Sequence, residues 1–279
     1  MENAAGLVVR QRTQKGEAAA QTLGIPYEAK NIYDISILPS NTQVKTHPHD
    51  AQGWAPTGEE LQALESIMTT YEESSLCTRL LLACCGCLNL RPLTLNIRVT
   101  EGGQAYLIKR PFKCGGWICC PLEMNVFGGG DAPQQIGRIR EDFDNYCGKC
   151  FEACCTCTYY HKVEQRGVIL MTCSHALMSS LPPSLSSCGR TNNFCAATCL
   201  KRDGVFDILD MNDQVVAHMQ RTYAPDNTTC GAFCRCCYMF QNYMISFPGG
   251  ISANERALLL ASIFQIDYQL FEKTGGDNN

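Results

Sequence analysis

From Leu93 the chain alternates with a period of two: Leu93, Leu95, Ile97 and Val99 are apolar, while Thr94, Asn96 and Arg98 between them are polar. That is the pattern of a strand with one dry and one wet face. Glu101-Gly102-Gly103 supplies a turn and Gln104 to Lys109 runs back, which predicts a hairpin. Leu122, Met124 and Val126 repeat the alternation before Gly128-Gly129-Gly130-Asp131, and Ile136 to Ile139 follows. A similar unit recurs late: Val205 to Leu209 precedes an Asn212-Asp213 turn and Val215 to Met219 returns, a weak internal repeat. Short strands at this spacing favour a closed antiparallel sheet, because closure removes unpaired edges.

Two segments follow a helical period instead. Thr57 to Thr70 predicts a short amphipathic helix: Thr57 caps it, Glu60 stands three residues on, and Leu61, Leu64, Ile67 and Met68 recur at three- and four-residue spacings. Ala257 to Phe271 is apolar around most of its circumference, with Ser262, Gln265 and Gln269 in one narrow polar stripe and Asp267 roughly opposite. Such a helix must be buried. A bilayer core takes about 20 predominantly apolar residues, yet here the uncharged run lies between Arg256 and Asp267. A charge at mid-membrane costs at least ~2.5 kcal/mol on insertion scales, so length and charge favour a helix threaded through a β-barrel over a transmembrane span. Residues 1–57, with Pro26, Pro39, Pro48 and Pro56 dispersed and only Ile32 to Leu38 strand-like, read as a variable, flexible leader. The expected organisation is therefore a leader, a barrel domain over 58–273 with its central helix at about 253–272, and a tail over 274–279.

Composition narrows the chemistry. With 279 residues and 45% hydrophobic content the chain can bury a substantial core. A net charge of −4 without a long basic block excludes nucleic acid as the main partner, since neutralising phosphates needs a concentrated Lys/Arg face. Covalent catalysis has no signature either. His47, His49, His161, His175 and His218 are scattered, and neither a nucleophile elbow nor a Walker loop occurs, so the expectation is a non-enzyme.

Twenty cysteines remain to be explained, and Met1 to Gly6 lacks the charged, then apolar, then small pattern of a secretory signal. Thiols of a reducing compartment bind metals, take acyl chains or pack as small apolar groups. Cys147, Cys150, Cys154, Cys155 and Cys157, with Cys230, Cys234, Cys236 and Cys237 downstream, contain spacings that tetrahedral Zn²⁺ uses. A second acylation patch or tolerated surface thiols fit the same residues, and sequence leaves the three open. Cys84-Cys85-Gly86-Cys87 and Cys114, Cys119 and Cys120 differ in standing near cations: Lys109, Arg110 and Lys113 offer charge to anionic headgroups while the thiols offer acylation sites. Membrane surfaces are held by two such weak signals together.

The run from Tyr71 through Cys77, Cys84-Cys85-Gly86-Cys87, Arg91 to Val99, Arg110-Pro111 and Cys119-Cys120-Pro121 resembles the phospholipid scramblase family. Gly137 to Ile139, Val205 to Met219, Ile245-Ser246-Phe247-Pro248 and the apolar stretch to Glu272, with its Ile266-Asp267-Tyr268 step, follow in the family's order, so the resemblance extends to about Lys273. It implies a Tubby-like fold, a barrel of about twelve antiparallel strands around the hydrophobic C-terminal helix. It also implies ATP-independent, Ca²⁺-dependent movement of phospholipids between leaflets, with the protein anchored by palmitoylated cysteines at the cytosolic face of a membrane, the plasma membrane. Cys114, Cys119 and Cys120 match the family's acylated cluster by position, although Gly115, Gly116, Trp117 and Ile118 interrupt it. The alternative function is a membrane-tethered module that binds lipid headgroups or proteins without scrambling, with protein partners engaged through the leader.

The calcium site transfers badly. The family's acidic loop corresponds here to Met239 to Gly250, which contains no Asp or Glu, and only Gln241, Asn242 and Ser246 offer side-chain oxygens. Ca²⁺ takes six to eight oxygens, carboxylates prominent among them. The expected calorimetric result is no tight Ca²⁺ binding in this window; micromolar affinity abolished by Asn242→Ala would overturn that expectation.

Overall fold

The computed structural model describes residues 4–12, 30–47, 50–84, 90–113, 121–130, 132–141, 160–165, 168–174, 204–212, 214–222 and 242–271. The strands are β1 (Gly6–Gln11), β2 (Ile32–Ile37), β3 (Ser66–Glu73), β4 (Leu93–Val99), β5 (Gln104–Arg110), β6 (Glu123–Gly128), β7 (Gln135–Glu141), β8 (Tyr160–Gln165), β9 (Val168–Ser174), β10 (Gly204–Leu209), β11 (Val215–Thr222) and β12 (Asn242–Ser246). Helix α1 (Gly58–Ala63) precedes β3, α2 (Leu76–Cys84) lies between β3 and β4, and α3 (Ala253–Ile266) ends the described chain through a π-helical turn, Asp267–Phe271. The predicted mostly β chain with antiparallel strands and a C-terminal helix is what forms. Each strand pairs antiparallel with its sequence neighbours, and β1 pairs with both β2 and β12, which closes the ring.

Alternation fills that ring. Leu95 and Ile97 of β4, Ile108 of β5, Met124 and Val126 of β6, and Phe206 and Ile208 of β10 all lie in one core with the helix residues Leu259, Ile263 and Ile266. From Ala257 to Ile266 every residue of α3 is buried, at 0–2% exposure. An all-round apolar helix needs a partner on every side, and the barrel supplies it. Gly137 of β7 marks a close approach: a Cβ there would stand 2.8 Å from the Leu258 side chain and against the Glu164 carbonyl. The helix is also fixed at its start, where Ser252 and Glu255 form a capping box and Arg256 donates to the Ala4 carbonyl at 2.9 Å. No helix among the described residues is long and apolar enough to cross a membrane.

Two expectations are corrected. The leader is not a separate flexible segment: residues 6–11 and 32–37 are barrel strands, so the wall begins well before residue 58. Leu7, Val8 and Val9 are all buried because residues from 38 onward fold over the outside, packing Leu38, Val44 and Leu61 on Val8 and Met244. A strand dry on both faces shows no alternation, and this one is too short to announce itself otherwise. The idea of protein partners bound through a free leader loses these segments with it. The predicted helix over Thr57 to Thr70 is half strand. Its capping box is present, with Glu60 N–H donating to Thr57 Oγ1 at 3.2 Å, but α1 stops at Ala63 and Ile67 and Met68 belong to β3.

Truncating Ile263 to Ala should cost about 2–5 kcal/mol through lost transfer energy and an unfilled cavity. Urea denaturation of the purified chain checks it; a loss below about 1 kcal/mol would mean the helix is not enclosed on all sides.

Candidate functional site

Antiparallel strands fix which connections share an end of a barrel. Those after β1, β3, β5, β7, β9 and β11 leave from one end, and those after β2, β4, β6, β8 and β10 from the other. All twenty cysteines fall within 74–92, 111–122, 142–159, 173–203 and 223–241, segments that start or finish at strand termini of the first end; Cys173 is the next-to-last residue of β9. Topology thus brings together at one end the flanks of every thiol-bearing segment. Cys77 is free and exposed and Cys84 closes α2. Cys85, Cys87, Cys114, Cys119, Cys120, Cys147, Cys150, Cys154, Cys155 and Cys157 lie outside the described residues, as does Gln241.

The predicted cations divide. Lys109 is exposed, with its ammonium 5.4 Å from the Phe127 ring centroid, and Lys113 pairs with Glu123 at 2.9 Å. Arg110 is a correction: it is 2% exposed and follows Ile108 on the inward face of β5, so it does not meet a headgroup at the surface.

Arg110 belongs to a set that sequence gave no sign of. On several strands the inward series is apolar until it nears this end and then turns polar: Met68 and Thr70 lead to Glu72, Ile139 to Glu141, Met219 to Arg221, and Val163 runs back to His161. These groups receive the last turns of the C-terminal helix. Arg91 donates from Nε and Nη2 to Glu72 at 3.0–3.1 Å, both side chains fully buried, and the Tyr268 hydroxyl donates to the same carboxylate at 2.9 Å. The Asn31 amide (3.0 Å) and Ser74 hydroxyl (2.5 Å) complete its shell, and the Arg91 guanidinium lies 5.2 Å from the Tyr268 ring centroid. Asp267 accepts from the Tyr33 and Tyr243 hydroxyls at 2.6 Å each. Glu141 accepts from the Leu122 amide at 2.7 Å and from Gln269, whose carbonyl oxygen lies 2.7 Å from His161 Nε2.

The carboxyls of this network titrate in opposite directions. Burial alone would raise Glu72, but the Arg91 charge and the surrounding donors hold it below the ordinary 4.5. Burial raises Asp267 above its ordinary value despite the two phenols and the charges of Arg221 and Arg91. It likewise raises Glu141 despite the Leu122 amide, Gln269 and the Arg110 charge. The chemistry on offer is mechanical: the network ties the helix end to β2, β3, β7, β8 and β12.

The calcium-like window is described from Asn242 to Gly250. Within it β12 is extended and hydrogen-bonded to β1 and β11 on its two sides. Asn242 is 4% exposed within that strand, and the Ser246 hydroxyl accepts from the His218 amide and donates to the His218 carbonyl, both at 3.2 Å. Two polar side chains already placed in a ladder do not make a six-oxygen shell. Among the described residues no group of three His, Cys, Asp or Glu could hold a metal ion. His218 Nδ1 stands 3.0 Å from Asp207, but Ser246 bonds the His218 main chain, so these three do not form a nucleophile–base relay.

Comparison with known proteins gives one family. The profile described as Scramblase matches residues 189–273, a stretch that includes β10, β11, β12 and α3. The scramblase resemblance of the sequence is shown on this stretch, and it supports a scramblase-like role and association with membrane phospholipid at family level. No curated protein matches the chain. Among solved structures, a porin-like protein from Bacteroides uniformis ATCC 8492 aligns at 8% identity over 87% of this chain and 96% of that chain, with a TM-score of 0.21, too low to carry an argument.

Two outcomes follow from the buried network. Arg91→Met should destabilise by about 3–5 kcal/mol because it strands the Glu72 carboxylate in the core, and adding Glu72→Leu should recover part of that loss in urea titrations. Equal loss in single and double variants would contradict the pairing. On pH the signs oppose: the depressed Glu72 contributes stability that is present above about 4.5 and lost on acidification, while the raised Asp267 contributes stability that is lost as pH rises from 3.8 through its folded value. Asp267→Asn should therefore flatten the high-pH decline of thermal stability and leave the acid limb intact; an unchanged decline would sink the assignment.

Proposed function

We propose that this chain is a phospholipid scramblase-like protein with a Tubby-like barrel, held at the cytosolic face of a membrane by acylated cysteines and moving phospholipids between leaflets without ATP. The observation that carries the reading is the Scramblase match over residues 189–273, because that stretch contains the core helix and the three strands leading to it. Lipid movement of this kind breaks no bond: the barrier is passage of a polar headgroup through hydrocarbon, and a protein lowers it by perturbing the bilayer it touches.

One acyl chain binds a membrane only marginally, so at least two thiols among Cys114, Cys119 and Cys120 carry chains in this reading, with Cys84, Cys85 and Cys87 as further sites. Lys109 adds ~1 kcal/mol near an anionic surface, whereas Lys113 is already paired with Glu123. The reading does not include calcium dependence, because the sequence from Met239 to Gly250 contains no Asp or Glu.

A second reading rests on a specific observation. The lumen is filled by α3, buried at 0–2% from Ala257 to Ile266, which leaves no room for a headgroup path through the barrel. This favours a membrane-tethered lipid- or protein-binding module unless lipids cross along the outside.

Replacing Cys114, Cys119 and Cys120 with Ala should move the protein from the membrane to the soluble fraction, and unchanged retention would remove the anchor. Reconstitution into liposomes with a fluorescent lipid confined to one leaflet separates the two readings. Transfer with or without Ca²⁺ is the expected result; none in either condition selects the binding module.

A further inference from the structure

Helix α2 is inverted relative to an ordinary surface helix. Its cation is buried, Arg79 at 5% exposure, whereas Leu76, Leu80 and Leu81 are 49%, 41% and 66% exposed and Cys77 is exposed among them. Positions 76, 77, 80 and 81 recur at helical spacing and form one face. At the same end of the barrel Phe112 is 56% exposed, between the buried Arg110 and the half-buried Lys113, with exposed Lys109 on the adjoining strand. Three leucines and a phenylalanine turned to water forfeit the burial that ordinarily stabilises such side chains, and contiguous exposed apolar side chains mark an interaction surface.

We propose that this end of the barrel docks on a phospholipid bilayer, with the Leu76, Leu80 and Leu81 face of α2 and Phe112 entering the boundary between headgroups and acyl chains. The inference rests on the scramblase-like reading and adds the orientation and the inserted element that the reading leaves open. Lys109 complements anionic headgroups; among the described residues Glu73 is an exposed carboxylate at this end, and Lys113 is paired with Glu123. Continuity of the chain supports the same occupant. Cys114 adjoins Lys113 in the chain and Cys84 ends α2, so an acyl chain added to either thiol would be tethered to this end, given a reach of at most about 3.6 Å per residue. The opposite end also exposes apolar side chains, Val99, Met211, Val215 and Val216, but its turns carry Glu101 and Asp210 and none of the cysteines. That end serves as the control.

The test uses the full unacylated chain and flotation with vesicles of phosphatidylcholine and phosphatidylserine. Leu80→Asp with Leu81→Asp should weaken binding by at least about tenfold, the cost of withdrawing even one leucine from an apolar phase, while Val215→Asp with Val216→Asp should leave it within about twofold. These side chains are exposed, and an unchanged thermal melt confirms that each variant folds. Equal loss at both ends, or none at either, overturns the orientation, as does binding by the Leu80/Leu81 variant at parental strength. Leaflet exchange measured on the same vesicles keeps the two ideas apart: α2-dependent binding without exchange supports the docking end and sinks scrambling, whereas exchange with α2-independent binding sinks the docking end alone.

Discussion

An apolar helix with a carboxylate in its last turn needs two things at once, a dry sheath on every side and hydrogen-bond donors at one end. The barrel meets both. Alternating strands present Leu95, Ile97, Val126 and Ile208 to α3, and the phenols of Tyr33 and Tyr243 reach Asp267 from β2 and β12. Because those two strands flank β1 in the ring, the contact that satisfies the helix also spans the place where the chain's beginning meets its end. Burial drives the helix inward without direction; the Asp267, Glu72 and Glu141 networks give it a fixed depth and rotation, since a buried polar group left unpaired costs about 1–3 kcal/mol.

The same constraint shapes function. Among the described residues the lumen is occupied by the chain's own helix. The ends of the barrel are unequal: one gathers the flanks of all thiol-bearing segments, the inverted helix α2 and the buried charge network, while the other is built largely of short turns. Scramblase-like action at a bilayer and docking through the cysteine end are compatible with this asymmetry, because insertion and acyl anchoring then act on the same face and leave the helix-filled core undisturbed.

Much of this was legible in the residues. The strands β4 and β6 announce themselves by period two, β5, β10 and β11 by the turns beside them, and the C-terminal helix by its uniform apolarity broken by Asp267. The strand β1 was not, because outer cover makes Leu7, Val8 and Val9 dry together and erases the alternation. Ser66 to Glu73 misled for a different reason: Ile67 and Met68 extend the helical spacing of Leu61 and Leu64, although the β-branched and aromatic run of Ile67, Thr69, Thr70 and Tyr71 favours a strand. The network had no local signal at all. Glu72 and Tyr268 meet across 196 residues, and Arg110 among lysines reads as one more surface cation until the fold turns it inward. The common end of the strands that flank the thiol-bearing segments becomes visible only when strands are counted from β1, since parity decides which connections share an end.

Native-state hydrogen exchange of the helix amides between Ala257 and Ile266, in aqueous buffer without lipid or detergent, tests the enclosed helix most directly. Enclosure predicts that these amides exchange only through global unfolding, with the same protection as the core strands β4 and β6. Rapid exchange in buffer, with protection appearing only when vesicles are added, would contradict the account and place the helix in the bilayer instead.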